Sequence, residues 1–277
     1  MRIGVSLPVR ELKDDLAAIR DFAQLAEELG FTHLRIPEQI ARPDSGHLHE
    51  PFTLLAYLAA CTESIELVPS VIVLPARQTV LVAKQAAEVD LLSGGRLRMG
   101  AGVGGSRDEF EALGQDFATR GRRCTEQIQL LKRLWTEPAV TFEGEFDRLH
   151  ATGIDPLPVQ RPIPIWIGGA AAPVRSVLQR IGEHANGWFA LCSPEDYAAL
   201  RATIDGFAEA AGRRSSDIGA ESGVGIHGRS EAEWTSIVKA REATGVSHLC
   251  MRTLGGGLDA HGHLAALKHL RSVLDAR

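Results

Sequence analysis

The chain has 277 residues, 44% of them apolar, a length that α/β barrels fill as one domain and a composition sufficient for a large core. A formal net charge of −5 with interspersed signs leaves no basic footprint, so nucleic acid is not expected as a partner. Four well-separated cysteines (Cys61, Cys124, Cys192, Cys250) fit reduced thiols better than a disulfide framework or a zinc site. The N-terminus runs directly into Arg2-Ile3-Gly4-Val5-Ser6-Leu7 without signal-peptide architecture, and no apolar run approaches the roughly 18 residues of a membrane span. A cytoplasmic protein with no membrane contact is expected.

Taken in order, residues 3–7 form a short strand, and Asp14 and Asp15 open a helix whose Ile19, Phe22, Ala26 and Leu29 share one face. A second strand over 32–36 ends in Pro37-Glu38-Gln39. Residues 51–61 are helical, and 66–74 form a third strand interrupted by Pro69 and Ser70. A helix over 78–92 stops at Ser93-Gly94-Gly95, where glycine supplies the left-handed residue a helix end needs. Residues 96–101 are the fourth strand, running into Gly102-Val103-Gly104-Gly105. A loop then holds Arg107, Asp108 and Glu109, and Thr119 is positioned to cap a helix with the stripe Cys124, Ile128, Leu131 and Trp135. The partly alternating 140–149 reads as a small hairpin, an excursion after the fourth unit. Strands follow at 164–167, 187–191, 221–227 and 246–251. Their helices cover 173–181, 194–211 (Ser193 capping, Pro194 in the first turn), 231–243 and 261–274.

Eight strands each followed by a helix imply a mainly parallel sheet. The expected fold is a single (β/α)8 TIM barrel over residues 1–277, with a doubly wound sheet as the alternative. In a barrel, ligands bind at the strands' C-terminal ends.

Gly100-Ala101-Gly102-Val103-Gly104-Gly105 formally matches a dinucleotide fingerprint. The acidic partner that fingerprint requires about 20 residues on would be Glu126, which lies inside an amphipathic helix, so the dinucleotide reading fails. The glycines instead let a flat ligand approach the backbone. Gly168-Gly169-Ala170-Ala171-Ala172 ends a strand and precedes a helix, which makes it an anion site with free N–H groups; a plain flexible loop is the bland alternative. Glu38 follows the second strand and is either a catalytic carboxylate at the mouth or an exposed loop acid. His47/His49 and His261/His263 lack a third ligand and read as solvated histidines, not a metal site. His227 and Arg252 end late strands, as salt-bridge partners or substrate contacts. Trp188 falls near the proposed phosphate loop.

Ala83-Lys84-Gln85-Ala86-Ala87 with Asp90 to Arg96, Glu109 to Gly114, Arg120 to Arg123, Leu134 to Pro138, Pro158 to Pro162 and Ile165 to Gly169 recur in an order and spacing that resembles the bacterial luciferase-like superfamily. The resemblance runs from about residue 1 to 275. It implies a barrel carrying an isoalloxazine or deazaflavin ring across its mouth. Carried onto this chain, it puts a non-prolyl cis peptide at Ser70-Val71 behind the ring. Gly102, Val103 and Gly104 would lie along the ring or its side chain, and Gly168, Gly169, Ala170 and Ala171 at the phosphate. Where many deazaflavin-dependent relatives have an acid followed by histidine, this chain has Glu38-Gln39, so only the acid is retained.

The resulting expectation is a flavin-type oxidoreductase acting on a small organic substrate. Its cofactor is coenzyme F420, transferring hydride with Glu38 handling the proton, or FMN, supplied reduced by a separate reductase and used for monooxygenation. A homodimer is expected. Two other classes stand beside it. One is a cofactor-independent barrel for phosphorylated metabolites, which would want a central lysine or a carboxylate pair. The other is a flavin-binding protein without turnover.

Overall fold

The computed structural model describes residues 1–41, 46–169 and 173–276. β1 (Arg2–Ser6) is followed by α1 (Val9–Leu12) and α2 (Leu16–Glu28), whose first turn is capped by the Asp15 carboxylate accepting from Ala18 N–H at 2.9 Å. β2 (His33–Ile36) leads to α3 (Pro51–Cys61). The expected third strand is broken in two, β3 (Glu66–Pro69) and β4 (Ile72–Val73), with a cis peptide between Ser70 and Val71. α4 (Thr79–Leu92), β5 (Met99–Gly102), α5 (Arg107–Ala112) and α6 (Arg120–Leu134) complete the first half.

The antiparallel hairpin of β6 (Val140–Glu143) and β7 (Arg148–Thr152) then intervenes. The second half is β8 (Ile165–Gly168), α7 (Arg175–His184), β9 (Gly187–Phe189), α8 (Pro194–Ala210), β10 (Gly219–Gly225), α9 (Glu231–Ala243), β11 (His248–Arg252) and α10 (Ala260–Asp275).

All pairings in the main sheet are parallel, in the order β3-β2-β1-β11-β10-β9-β8-β5-β4. The two ends of that order are the two halves of one broken strand. A bridge between Leu67 and Leu97, with Leu67 N–H donating to Arg96 O at 2.9 Å and Arg98 N–H to Leu67 O at 3.0 Å, brings the ends together. The fold is the expected α/β barrel, with its hairpin after the fourth unit.

Two local expectations are corrected. Residues 107–112 are not loop but α5, because Ser106 accepts from Glu109 N–H and so supplies a cap. Thr119 does not cap α6; it already has helical dihedrals, and Asp116 caps the short 3₁₀ turn before it. The stripe Cys124, Ile128, Leu131 and Trp135 is fully buried as expected.

Strand side chains alternate between two environments. Outward residues such as Leu34, Leu67, Ala101, Ile167, Ala220 and Leu249 join the helices in one continuous apolar core. Inward residues are mostly charged or small, with an apolar cluster of only Val68, Trp166, Phe189 and Val71. The bulk of hydrophobic stabilisation, about 1.5–3 kcal/mol for each large side chain fully buried, therefore lies outside the barrel wall.

Candidate active site

The break between β3 and β4 sits at the strands' C-terminal ends. Val71 projects from it across two neighbouring strands: a Cβ on Gly102 would stand 2.5 Å from Val71 Cγ2, and one on Gly168 2.6 Å from Val71 Cγ1. Any side chain at either glycine would collide with Val71. Gly104 turns the chain away with φ +68°, a conformation glycine adopts without penalty. Above this surface is a cavity of about 390 Å³, walled by Val71, Val103, Val174 and Val177 and by the backbone of Gly102, Gly104, Gly168 and Gly169. It is mostly apolar and falls in the range of small-ligand sites. Size alone does not select it, since a cavity of about 500 Å³ lies outside the barrel beside Tyr197, Arg201 and Thr244.

Val71, Gly102, Val103, Gly104, Gly168 and Gly169 are thus brought together around one space, with Ser70 directly behind it. Ala170 and Ala171, expected in the phosphate loop, lie outside the described residues. Trp188 is not brought there. β9 points Phe189 into the barrel, so Trp188 faces outward, 2% exposed and stacked on Tyr197 of α8 with ring centroids 5.7 Å apart.

Glu38 follows β2 as expected, but its carboxylate is neither free nor exposed. It accepts from Val73 N–H and from Arg77 Nη2, and Arg77 also reaches Glu50 at 3.0 Å. Burial pushes the Glu38 carboxyl up, against the opposing pull of Arg77 and Val73 N–H. The contact ties the loop after β2 to the end of β4 and to Arg77 beyond it.

Beneath the cavity is a polar network that sequence reading missed. Arg35 donates to Glu221 at 2.9 Å and to Ser70 Oγ, and its guanidinium lies 4.7 Å from the Phe189 ring centroid. Arg98 binds Glu221 and Glu66, each at 2.8 Å, and covers Trp166 at 4.3 Å. His33 Nε2 lies 3.3 Å from Glu221 Oε2. Burial opposes ionisation of Glu221, but the His33 ring and the two guanidinium groups outweigh it and hold the carboxyl well below the usual range. Burial pushes His33 down, and together with Arg98 and His33 it pushes His248 down to about 3.

His33, Glu221 and Cys250 bring possible ligand atoms within 4.8 Å of one another. Two guanidinium groups already occupy Glu221, so a divalent cation there would have to displace them. His263, expected to be solvated, is fully buried against Phe22, with Nε2 2.8 Å from Glu11 Oε2; α10 turns it toward α2.

The profile of the luciferase-like monooxygenase family matches residues 1–265. The chain belongs to the luciferase-like monooxygenase family. Luciferase-like proteins are flavin- or F420-dependent oxidoreductases and monooxygenases, and this member is an enzyme of that class. An uncharacterized protein of Mycobacterium tuberculosis is 32% identical over 224 residues, 74% of this chain and 76% of that protein. The F420-dependent glucose-6-phosphate dehydrogenase of Kineococcus radiotolerans is 34% identical over 171 residues, 60% of this chain and half of that enzyme. The FMNH(2)-dependent dimethylsulfone monooxygenase of Pseudomonas putida is 32% identical over 174 residues, 61% of this chain and 48% of that enzyme. In fold, the crystal structure of the monooxygenase RslO1 from Streptomyces bottropensis superposes with a TM-score of 0.82 at 21% identity, covering 100% of this chain and 99% of that one. A deazaflavin or flavin is accordingly the cofactor class of this luciferase-like enzyme.

Proposed function

We propose that this luciferase-like enzyme binds the ring of coenzyme F420 in the cavity walled by Val71, Gly102 and Gly168, and catalyses hydride exchange with a small organic substrate. FMN with oxygen insertion is the alternative. The observation that carries the reading is the cavity at the strands' C-terminal ends: mostly apolar, lined by Val71, Val103, Val174, Val177 and glycine backbone, with Val71 packed directly on Gly102 and Gly168 so that neither position can carry a side chain. When bound, such a ring supplies the redox chemistry, and the protein supplies orientation and water exclusion.

Each of the chain's own groups has a part. Val71 buttresses the ring from the barrel side, held by Gly102 and Gly168. Arg35 fixes Ser70, and through it the segment carrying Val71. Gly168 and Gly169 offer backbone to a phosphate before α7, whose N-terminal end favours negative charge. Glu38 is the acid assigned to proton handling. In its present contacts it anchors Val73, so proton transfer requires Arg77 to share or release it. Lys84 lies on α4, bound to Glu88 and Asp155 O on the outside, which disfavours imine chemistry at the mouth.

Titration of the purified protein with F420 and with FMN, following tryptophan fluorescence, tests the assignment. Trp166 lies in the same interior cluster as Val71, so a bound ring should quench it. Saturable quenching by F420 at micromolar concentration is expected. Quenching by FMN alone moves the assignment to the alternative, and binding of neither ends it.

A further inference from the structure

The described charges at the mouth are paired unevenly. Glu221 is held by Arg35 and Arg98, and Glu38 by Arg77. Glu109 accepts from Ile40 N–H at 2.6 Å and Ala41 N–H at 3.1 Å. Glu11 accepts from Gly255 N–H at 3.0 Å and Gly257 N–H at 2.8 Å, with His263 on its other oxygen. Every one of these carboxylates is already engaged.

Arg252 is different. It ends β11 in register with Ser6, and Ser6 is in register on its other side with Arg35, so the two arginines stand at one level of the barrel, one strand apart on either side of β1. Its guanidinium lies over the inward face of β10, where Gly223 and Gly225 leave room: a Cβ on Gly223 would be 3.9 Å from Arg252 Nε, and one on Gly225 4.0 Å from Nη2. Arg35 is fully engaged and largely covered. Arg252 is exposed, and among the described residues no carboxylate pairs with it. Arg229 approaches the same point, with Nη1 3.8 Å from the Gly225 Cβ position, held there by the Gly225 carbonyl at 2.9 Å. Two cations thus converge on one spot with no anion between them among the described residues, an arrangement that repels itself until an anion arrives.

We propose that Arg252, with Arg229 beside it, seats an oxyanion of the substrate (a carboxylate, sulfonate or phosphate) on the β10–β11 side of the mouth. This rests on the reading of the glycine-walled cavity as the place of the ring, because the seat then lies beyond it across the mouth. The planar fork of arginine suits two-point recognition of such a group. Substrates of this enzyme are therefore anionic organic molecules, held by the charged end with the reacting carbon toward Val71.

The test uses calorimetric titration of the full chain in low-salt buffer with benzoate, methanesulfonate and inorganic phosphate, and with neutral benzamide as control. Saturable binding of at least one anion, and none of benzamide, is expected. Arg252→Met should raise the anion's Kd at least tenfold, and Arg252→Lys should recover part of the loss. Arg214→Met, an exposed arginine paired with Asp217 outside the barrel, should leave it unchanged. Equal binding by wild type and Arg252→Met, equal loss in Arg214→Met, or no saturable anion binding by wild type would each overturn the proposal. FMN and F420 affinities measured in parallel separate the two readings. Anion binding without cofactor binding removes the flavin assignment alone, and cofactor binding without anion binding removes the anion seat alone.

Discussion

Arg35 joins the buried carboxylate of Glu221 to the hydroxyl of Ser70, and so connects the barrel's polar interior to the segment that forms the cavity wall. Position 221 is where the network is most exposed to mutation. Glu221→Gln leaves the Arg35 and Arg98 guanidinium groups without their shared counter-charge inside the barrel, which costs about 3–5 kcal/mol. Urea denaturation should show this loss, and the double variant Glu221→Gln/Arg35→Met should lose less than the sum of the singles. Strict additivity would mean the two side chains do not work as a unit.

Stability should fall as pH drops below neutrality. The folded-state value of His248 is about 3 against 6.5 for a free histidine, because burial disfavours the charged ring. Between those values the unfolded chain binds the extra proton, so folding weakens progressively as pH falls from about 6.5 toward 3. Glu221, lowered by its partners, adds a second loss below its ordinary value near 4.5 as pH falls toward its folded value. Melting temperature recorded from pH 7.5 to 4.5 should slope downward. His248→Asn should flatten the upper part of that slope, and an unchanged profile would show that His248 is not the group titrating.

Gly168 and Gly169 are adjacent but should respond differently to alanine. A Cβ at Gly168 would overlap Val71 at 2.6 Å, whereas one at Gly169 would meet Val177 at an ordinary 3.4 Å. Gly168→Ala forces Val71 to move, at about 1–3 kcal/mol of overpacking, and cofactor affinity should drop by tenfold or more. Gly169→Ala should bind nearly as wild type. Fluorescence titration of both variants decides it, and equal affinities would detach Val71 from the ring site.

Glu38→Gln separates proton handling from anchoring. As the proton-handling group, Glu38 should slow turnover much more when changed than it weakens cofactor binding. As an anchor of Val73 and Arg77, it should instead lower stability and cofactor affinity together, with turnover at saturation preserved. Steady-state kinetics beside a thermal melt distinguish the two.

The barrel was legible in the sequence because its outer surface follows simple periodicity: Ile19, Phe22 and Ala26, or Cys124, Ile128 and Leu131, repeat at helical spacing and all are buried. The cavity wall is legible through the family resemblance, which points to Val71, Gly102 and Gly168. The interior network was not. Arg35, Glu66, Glu221 and His248 come from four strands and Arg98 from the residue before β5; they look singly like surface charges, and only barrel closure makes them neighbours. The signal available was a charged residue amid apolar neighbours within each short strand, which a half-exposed strand would also show. Trp188 was misplaced for a related reason: proximity in sequence to the mouth says nothing about which face of β9 a side chain takes.

The alternation that sends Leu34 outward and Arg35 inward has a consequence for change over time and for engineering. The apolar mass that keeps the barrel folded lies on one face of each strand, and the groups that meet a ligand lie on the other or in the loops beyond. Arg252 or Val174, both exposed, can be exchanged for residues of other shape and charge without reaching the packing that stabilises the fold. A library confined to those positions should therefore shift substrate preference while melting temperatures stay close to the parent, whereas one that included Met251 or Leu249, next to Arg252 in the chain, should yield mostly unfolded protein.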